Sequence, residues 1–332
     1  MNNGFEIDRD QSRSLLRTMI LIRRAEERLA KVVREEGLPG ALHLYIGQEA
    51  IATGVCSQLT DRDWITSTHR GHGHFLAKGG DIKKMFAEIW GKRTGICQGM
   101  GGSMHVADFE RGIMGANGIV GGGLAIATGA AHAAKLDADG RVAVCFFGDG
   151  AANQGVLMES MNMAAIWQLP IVFVCENNGV SEFTVSSTVT AGKLSDRARP
   201  FMPVADLDGN DVIAVRTAAA EAVQRARDGG GPSFIEAHTY RIHGHLEAED
   251  LFLGGGTYRT QDDIDLWRAP EKDPLARFMR DAVAAGLLTQ DIIQDLDAEI
   301  LALVEEAVEF ASSSPDADPD LVYELLGERQ KI

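Results

Sequence analysis

The sequence has few of the features that mark secreted or membrane-spanning proteins. Its four cysteines form no Cys-x-x-Cys pair, which argues against a disulfide framework and favours a reduced cytoplasm. No apolar run has the length of a membrane span, and the N-terminus has no basic region followed by an apolar stretch. We therefore expect a cytoplasmic chain with neither a signal peptide nor a membrane anchor.

Basic residues are also scarce. Lys and Arg number 32 against 48 Asp and Glu, which makes the net charge −16. A nucleic-acid partner requires clustered positive charge to neutralise its phosphates, so we expect no such partner. Solubility is a sufficient reason for the acidity itself.

The chain does contain enough apolar material to bury a large core, at 45% of its 332 residues. Apolar residues recur at helical spacing over residues 10–36 and 261–310. Between these stretches, short apolar runs alternate with helical patterns, which is typical of a parallel sheet. We predict an α/β fold with a three-layer α/β/α parallel-sheet domain at residues 46–260. Helical extensions are predicted at residues 1–45 and 261–332.

Two polar segments follow the most apolar strands of the predicted sheet. Gly148-Asp149-Gly150 comes after the apolar run 142–147, and Asn177-Asn178 comes after the run 171–175. A predicted helix at about residues 154–167 separates the two runs, so that they form a βαβ unit. Both strand ends then lie on the same edge of the sheet, where ligands of open α/β folds bind. Asp149 and Asn178 are therefore expected to meet.

These side chains suit a divalent metal ion that holds a diphosphate. Mg²⁺, or Ca²⁺ or Mn²⁺ in its place, prefers oxygen ligands, and Asp149, Asn178 and the carbonyl of Val180 offer three. The amides of Gly150 and Ala151, at the start of the helix that follows the first strand, would face phosphate oxygens. The alternative is that Asp149 only caps that helix and that Asn178 only makes an Asx turn.

Nucleotide-binding fingerprints do not account for the glycines. The segment that begins at Gly121 has Ile126 where the dinucleotide fingerprint requires a third small residue, and the segment that begins at Gly148 fails at Asn153. The phosphate loop G-x-x-x-x-G-K-[ST] does not occur in the sequence. The diphosphate is therefore predicted to belong neither to NAD nor to a nucleoside triphosphate.

Together with their neighbours, these segments resemble the α subunit of the E1 component of 2-oxo acid dehydrogenase complexes. Within that family the sequence is most similar to acetoin dehydrogenase α subunits, and next to pyruvate dehydrogenase E1 α subunits. The resemblance extends over about residues 16–259. It is carried by Gly148-Asp149-Gly150, by Asn177-Asn178 and by residues 43–50, 67–74, 101–105, 115–121 and 240–245.

The resemblance implies the thiamine-diphosphate-binding fold and a cofactor site. Asp149, Asn178 and the Val180 carbonyl would hold the metal. Arginine offers a two-pronged fork to phosphate, so the chemistry agrees with the resemblance, and the alternative for Arg70 and Arg241 is an ordinary ion pair. The residues that the resemblance assigns to the thiamine diphosphate are His69, Arg70, Gly118, Val120, Asp149, Gly150, Ala151, Asn178 and Arg241.

Two histidines have implied catalytic roles. In the family, the histidine that matches His245 lies near the reacting carbon and assists transfer to lipoamide, and the one that matches His43 lies near the entrance of the site. An imidazole with a pKa near neutrality can move protons in such a reaction. The implied activity is cleavage of acetoin or a 2-oxo acid on the thiazolium carbon, with transfer of the acyl fragment to lipoamide.

The family places the carboxylate that activates the cofactor on a separate β subunit. Nothing after Arg259 resembles a second, pyrimidine-binding domain. We therefore expect an α₂β₂ assembly, a small carbonyl substrate and a lipoyl-bearing E2 partner in a larger complex.

Departures from the family pattern concern the substrate. The loop at residues 246–256 is longer and more apolar than the acetoin or the pyruvate pattern, and Leu246 replaces a serine that mitochondrial pyruvate enzymes phosphorylate. The substrate therefore stays open among acetoin, pyruvate and branched 2-oxo acids. Two further alternatives are a lyase or ligase that does not use lipoamide, and a non-catalytic scaffold.

Overall fold

The computed structural model describes residues 7–35, 37–38, 40–249 and 258–325. A five-stranded sheet forms its centre, with strands β1 Trp64–Thr66, β2 Ala143–Gly148, β3 Ile171–Asn177, β6 Val204–Asp208 and β7 Ser233–His238. The strand order is β1-β2-β3-β7-β6, and all neighbours are parallel. The short strands β4 Val180–Ser181 and β5 Thr184–Val185 form a separate antiparallel hairpin.

Helices precede, connect and follow the strands. Those up to the last strand are α1 Arg9–Glu35, α2 Glu49–Cys56, α3 His72–Ala77, α4 Ile82–Ile89, α5 Gly122–Asp137, α6 Gly155–Ile166, α7 Leu194–Ala198 and α8 Val212–Arg227. After the sheet come α9 Gln261–Arg268, α10 Pro274–Ala284, α11 Gln290–Ser313 and α12 Leu321–Leu325. The predicted C-terminal helical stretch is therefore several helices, with breaks at residues 269–273 and 285–289.

The two faces of the sheet bury separate hydrophobic cores, because successive side chains of a strand face opposite sides. In β2, Val144 and Phe146 join one core, whereas Cys145 and Phe147 join the other. Helices α1, α2 and α8 contribute to the first core, and α5, α6 and α7 contribute to the second. Burial of each such large side chain contributes about 1.5–3 kcal/mol. The predicted three-layer α/β/α parallel sheet is confirmed.

Aspartates set the starts of several helices. Asp81, Asp211 and Asp273 each accept hydrogen bonds from backbone amides in the first turn of α4, α8 and α10. Such caps satisfy amides that have no partner within the helix.

A glycine follows the C-terminal end of α1. Gly37 has a left-handed φ of 73°, and its amide donates to the carbonyl of Val32 at 3.1 Å. Gly37 therefore ends α1, directly after the stretch 10–36 that has helical spacing in the sequence.

Helices of the N- and C-terminal regions pack against each other. Arg24 pairs with Asp297 at 2.7 Å, and Arg28 pairs with Glu305 at 2.8 Å, which joins α1 to α11. Exposed ion pairs contribute only about 0–1 kcal/mol each, so the contact depends on the buried apolar side chains of both helices. The domain boundaries at residues 45 and 260 stay predictions.

Two segments differ from the sequence expectation. Strand β6 was not predicted, because it is a half-exposed strand at the edge of the sheet and contains Asp206 and Asp208, which disfavour strands. The stretch 180–199 shows no helical or strand period in the sequence, yet it holds the β4–β5 hairpin, a short 3₁₀ turn and α7. Of the loop at 246–256, residues 250–256 lie outside the described residues.

All four cysteines are free thiols, and three of them are buried. Burial raises the pKa of the Cys56 and Cys145 thiols to about 12, so neither is a reactive nucleophile at neutral pH. Among the helices that the structure describes, none combines the length and the apolar character needed to cross a membrane.

Candidate active site

A cavity of about 250 Å³ lies at the carboxyl ends of β1, β2 and β3. This is the edge at which ligands of open α/β sheets bind. The structure brings every predicted site residue to the wall of this one cavity. They are His43, His69, Arg70, Gly118, Val120, Asp149, Gly150, Ala151, Asn178, Val180, Arg241 and His245.

Asp149 and Asn178 follow neighbouring strands, because the register of β2 and β3 pairs Gly148 with Glu176. The Ser186 hydroxyl donates a hydrogen bond to the buried Asp149 carboxylate. Burial raises the pKa of the Asp149 carboxyl to about 6, whereas neighbouring backbone groups and the charge of Arg241 act to lower it. A metal ion would favour the ionised carboxylate.

Of the two alternative roles, a helix cap for Asp149 and an Asx turn for Asn178, the structure shows only the second. Helix α6 begins at Gly155 with Gln154 as its N-cap, so Asp149 does not cap it. The Asx turn does exist, since the amide of Val180 donates to Asn178 Oδ1 at 3.2 Å. Asn178 Nδ2 donates to Gln48 Oε1 at 3.1 Å, which holds the carboxamide beside the cavity.

The sequence predicted Gly150 and Ala151 at the start of the helix that follows β2, but α6 begins only at Gly155. Ala151 begins a 3₁₀ turn at Ala151–Asn153 that separates β2 from the helix, and Gly150 is the N-cap of that turn. Gly150 has to be a glycine, because a Cβ atom there would overlap the side chain of Ser181. The cavity is therefore approached by the amides of a tight turn.

Arg70 and Arg241 are buried beside the cavity. Arg70 donates to the carbonyl of Leu44 at 2.7 Å and to that of His245 at 3.1 Å. Arg241 donates to the carbonyl of Glu182 at 2.9 Å and to the hydroxyl of Tyr258, and its Nε is buried without a partner. Within the described ranges, neither guanidinium forms a salt bridge, so the ion-pair alternative is not observed.

This pair of cations has the electrostatics of an anion site. Burial, with the charge of Arg241 next, lowers the pKa of Arg70 to about 9. Burial also lowers the pKa of Arg241. Buried charges are costly unless they are paired, and a bound diphosphate would supply the missing negative charge. The donor set therefore fits a diphosphate.

His43, His69 and His245 form a cluster at the same cavity. The ring centroid of His43 lies 4.8 Å from that of His69 and 4.8 Å from that of His245. Burial, with the charge of Arg70 next, lowers the pKa of His43 to about 3, of His69 to about 2 and of His245 to about 3. The three imidazoles are therefore neutral at physiological pH, and each ring can donate one hydrogen bond and accept another.

We expect the protein without cofactor to become less stable as the pH falls below about 6.5. An unfolded histidine binds a proton near that pH, whereas the three clustered histidines stay neutral in the fold down to about pH 3. The contribution of these histidines to the free energy of unfolding is therefore complete above about pH 6.5 and decreases as the pH falls. The Asp149 carboxyl has the opposite effect on stability. Its pKa is raised to about 6 in the fold, so its protonation as the pH falls through that value stabilises the folded state.

Thermal unfolding midpoints between about pH 7.5 and 5 check this expectation. His69→Gln should flatten the loss of stability towards low pH, because it removes one of the three sites. His238→Gln is the matched control, since that side chain is 51% exposed and pairs with Asp206 outside the cluster. A profile for His69→Gln that is parallel to the wild type would contradict the expectation.

Gln48 and Glu176 also line the cavity but were not predicted from the sequence. A Glu176 carboxylate oxygen lies 3.1 Å from His74 Nε2 and accepts a hydrogen bond from the Tyr45 hydroxyl. Gln48 holds Asn178, as described above. Both residues have a signal in the sequence: Gln48 lies within the motif at 43–50, and Glu176 directly precedes the paired asparagines.

The parallel sheet and the polar cavity at its carboxyl edge define an α/β enzyme subunit with a site for an anionic ligand. The chain belongs to the dehydrogenase E1 component family, whose model matches residues 17–320. It is an α subunit of this thiamine-diphosphate-dependent family of oxidoreductases. Its relatives are named as α subunits of an oxidoreductase and of an E1 component.

Relatives of two kinds match nearly the whole chain. The α subunit of acetoin:2,6-dichlorophenolindophenol oxidoreductase from Bacillus subtilis is 45% identical over 99% of this chain and 97% of its own length. The protein of the same name from Cupriavidus necator is 45% identical over 95% of this chain and 93% of its own length. The pyruvate dehydrogenase E1 α subunit from Rhizobium meliloti is 37% identical over 96% of this chain and 90% of its own length.

Proposed function

We propose that this chain and a β subunit form an E1 component that cleaves acetoin. The observation that carries the cofactor site is the pair of buried guanidiniums of Arg70 and Arg241, which lack a salt bridge among the described residues and line the cavity of Asp149 and Asn178. Acetoin is favoured because the relatives named for it are 45% identical, against 37% and 39% for two relatives named for pyruvate.

Oxygen atoms of this chain would hold the metal. Asp149 and Asn178 supply a carboxylate and a carboxamide, and Val180 supplies a carbonyl, which is a donor set for Mg²⁺ or for Ca²⁺ or Mn²⁺. The amides of Gly150 and Ala151 would bind diphosphate oxygens.

Cations and backbone groups would hold the rest of the cofactor. Arg70 and Arg241 supply the positive charge for the diphosphate, as an arginine fork binds phosphate well. Gly118 and Val120 would contact the aminopyrimidine through their backbones, and His69 lies beside Arg70 on the same wall.

The histidines would handle protons. Thiamine diphosphate, when bound, supplies a nucleophilic thiazolium carbon and an electron sink for cleavage beside a carbonyl. His245 and His43 stay neutral in the cavity, so that either ring can accept a proton from a substrate hydroxyl or donate a hydrogen bond to a substrate oxygen. Transfer of the acyl fragment to lipoamide would place a lipoyl-bearing E2 component beside His245.

An exposed apolar rim supports a partner subunit at the cavity. Ile119 is 74% exposed and Val120 is 52% exposed, and both line the cavity next to Gly118. Adjacent exposed apolar side chains at a binding site are typical of a protein interface. We propose that the β subunit covers this rim and that the assembly is α₂β₂.

The chain co-expressed with its β subunit should reduce 2,6-dichlorophenolindophenol with acetoin when thiamine diphosphate and Mg²⁺ are present. Pyruvate and branched 2-oxo acids are compared in the same assay, since pyruvate dehydrogenase subunits are also relatives. Faster reduction of the dye with pyruvate than with acetoin would show that pyruvate is the substrate. Tight cofactor binding without turnover on any substrate would favour the scaffold alternative.

A second measurement tests the acceptor. Lipoyl-domain protein added to the same complex should become acylated with acetoin as donor. Turnover with the dye but no acylation would favour a lyase or ligase that does not use lipoamide.

A further inference from the structure

Residues 241–245 carry two side chains of the cavity but belong to neither a strand nor a helix. Strand β7 ends at His238, and the chain then runs irregularly through Arg241 and His245. Both of these residues line the cavity, and Arg241 is buried. Buried backbone groups require hydrogen-bond partners, and no sheet or helix ladder supplies them here. Two charged side chains from later in the chain supply several of them.

Arg259 binds the carbonyl side of this segment. Its NH1 atom donates to three successive carbonyls, those of Arg241 at 3.0 Å, Ile242 at 2.8 Å and His243 at 2.8 Å. The Arg259 side chain is 9% exposed. Hydrogen bonds from a charged donor are about twice as strong as neutral ones, so this contact restrains the backbone that orients Arg241.

Glu249 binds the amide side of the same segment. Its Oε2 accepts a hydrogen bond from the amide of His245 at 2.6 Å, and its Oε1 lies 3.6 Å from NH2 of Arg259. The glycine at position 244 allows this approach, because a Cβ atom on Gly244 would overlap the Glu249 carboxylate. The Glu249 side chain is 8% exposed.

We propose that Glu249 and Arg259 are positioning residues that together hold residues 241–245 so that Arg241 and His245 reach the cofactor and substrate. Neither of the two lines the cavity, so each acts through the backbone that it binds. The inference rests on the roles proposed above for Arg241 and His245. It identifies two determinants of the active site that lie behind its wall.

A binding cycle tests Arg259 without turnover. In the α–β complex with Mg²⁺, Arg259→Ala should weaken thiamine diphosphate binding about tenfold, because Arg241 loses its position. In an Arg241→Ala background the same change should have less than about a twofold effect. Arg259→Lys should recover part of the affinity, and Arg62→Lys, on a side chain that is 67% exposed, should match the wild type.

A turnover cycle tests Glu249. Glu249→Ala should lower kcat about tenfold in the presence of His245 and less than about twofold in a His245→Ala background. Glu249→Gln keeps an oxygen that can accept from the His245 amide, so it should retain more activity than the alanine variant. If the alanine variant does not fold, the glutamine variant is carried through the same cycle, with Glu271→Gln as an exposed control.

In each cycle, the Arg259 or Glu249 change could cause the same loss with and without the Arg241 or His245 side chain. That result would overturn the proposal, because it would show a general weakening of the structure rather than action through Arg241 and His245. Variants that equal the wild type would overturn it as well. A wild-type complex that neither binds thiamine diphosphate nor turns over would instead contradict the proposed function. The two failures are therefore distinguishable.

Discussion

Replacement of Asp149 by alanine is expected to abolish metal-dependent binding of thiamine diphosphate. Asp149 is 2% exposed and lies at the edge of the sheet where the register of β2 and β3 also places Asn178. Without it, the metal loses its only charged ligand in the proposed set, and the diphosphate faces two arginines with no metal to complete the site. Loss of a buried charged partner costs about 3–5 kcal/mol, which is more than a hundredfold in Kd.

Calorimetric titration of the α–β complex, with and without Mg²⁺, measures this effect. Asp149→Asn should show an intermediate loss, because the carboxamide keeps an oxygen ligand but not the charge. Asp295→Ala is the matched control, since this aspartate lies on the exposed side of α11. An Asp149→Ala complex with the Mg²⁺-dependent affinity of the wild type would refute the metal site.

Replacement of His245 by alanine should lower kcat by about 10²–10⁴ and leave cofactor affinity nearly unchanged. The ring lies in the cavity beside His43, and burial holds its pKa near 3, so it is neutral and can act as a base and as a hydrogen-bond donor to the reacting oxygen. General acid–base catalysis acts on the transition state, which is why the loss should fall on kcat rather than on binding of the cofactor.

Steady-state kinetics and cofactor titration on the same preparation separate these quantities. His238→Ala is a suitable control, because His238 is the last residue of β7 and does not line the cavity. Its Nε2 lies 2.8 Å from Asp206 Oδ1. Unchanged kcat in His245→Ala would remove the catalytic role. An equal loss in kcat and in cofactor affinity would show that His245 mainly supports the binding site.

Much of the fold could be predicted from local sequence. The runs at 142–147 and 171–175 are apolar throughout because both faces of a central parallel strand are buried, and β2 and β3 occupy those positions. The intervening helix was predicted at 154–167 and is found at Gly155–Ile166. Once these strands are parallel neighbours, their polar carboxyl ends have to meet, which is why Asp149 and Asn178 could be paired from sequence.

Edge and turn structure could not be predicted in the same way. Strand β6 is stabilised by its pairing with β7, and its own residues, with two aspartates in five positions, carry little preference for a strand. The 3₁₀ turn at Ala151–Asn153 likewise lacks a sequence period that would distinguish it from the first turn of α6. Both depend on neighbours that are distant in sequence.

The sequence by itself determined the parallel α/β sheet, the family and the residues that the cavity unites, because apolar periodicity and strand-end motifs are local properties. Only the tertiary structure decided which charges have partners. It showed that Arg70 and Arg241 are buried with no salt bridge in the described part of the chain, whereas Glu249 and Arg259 are drawn together behind the cavity wall. Pairing of this kind depends on burial and on distances across the fold, and no spacing along the chain encodes it.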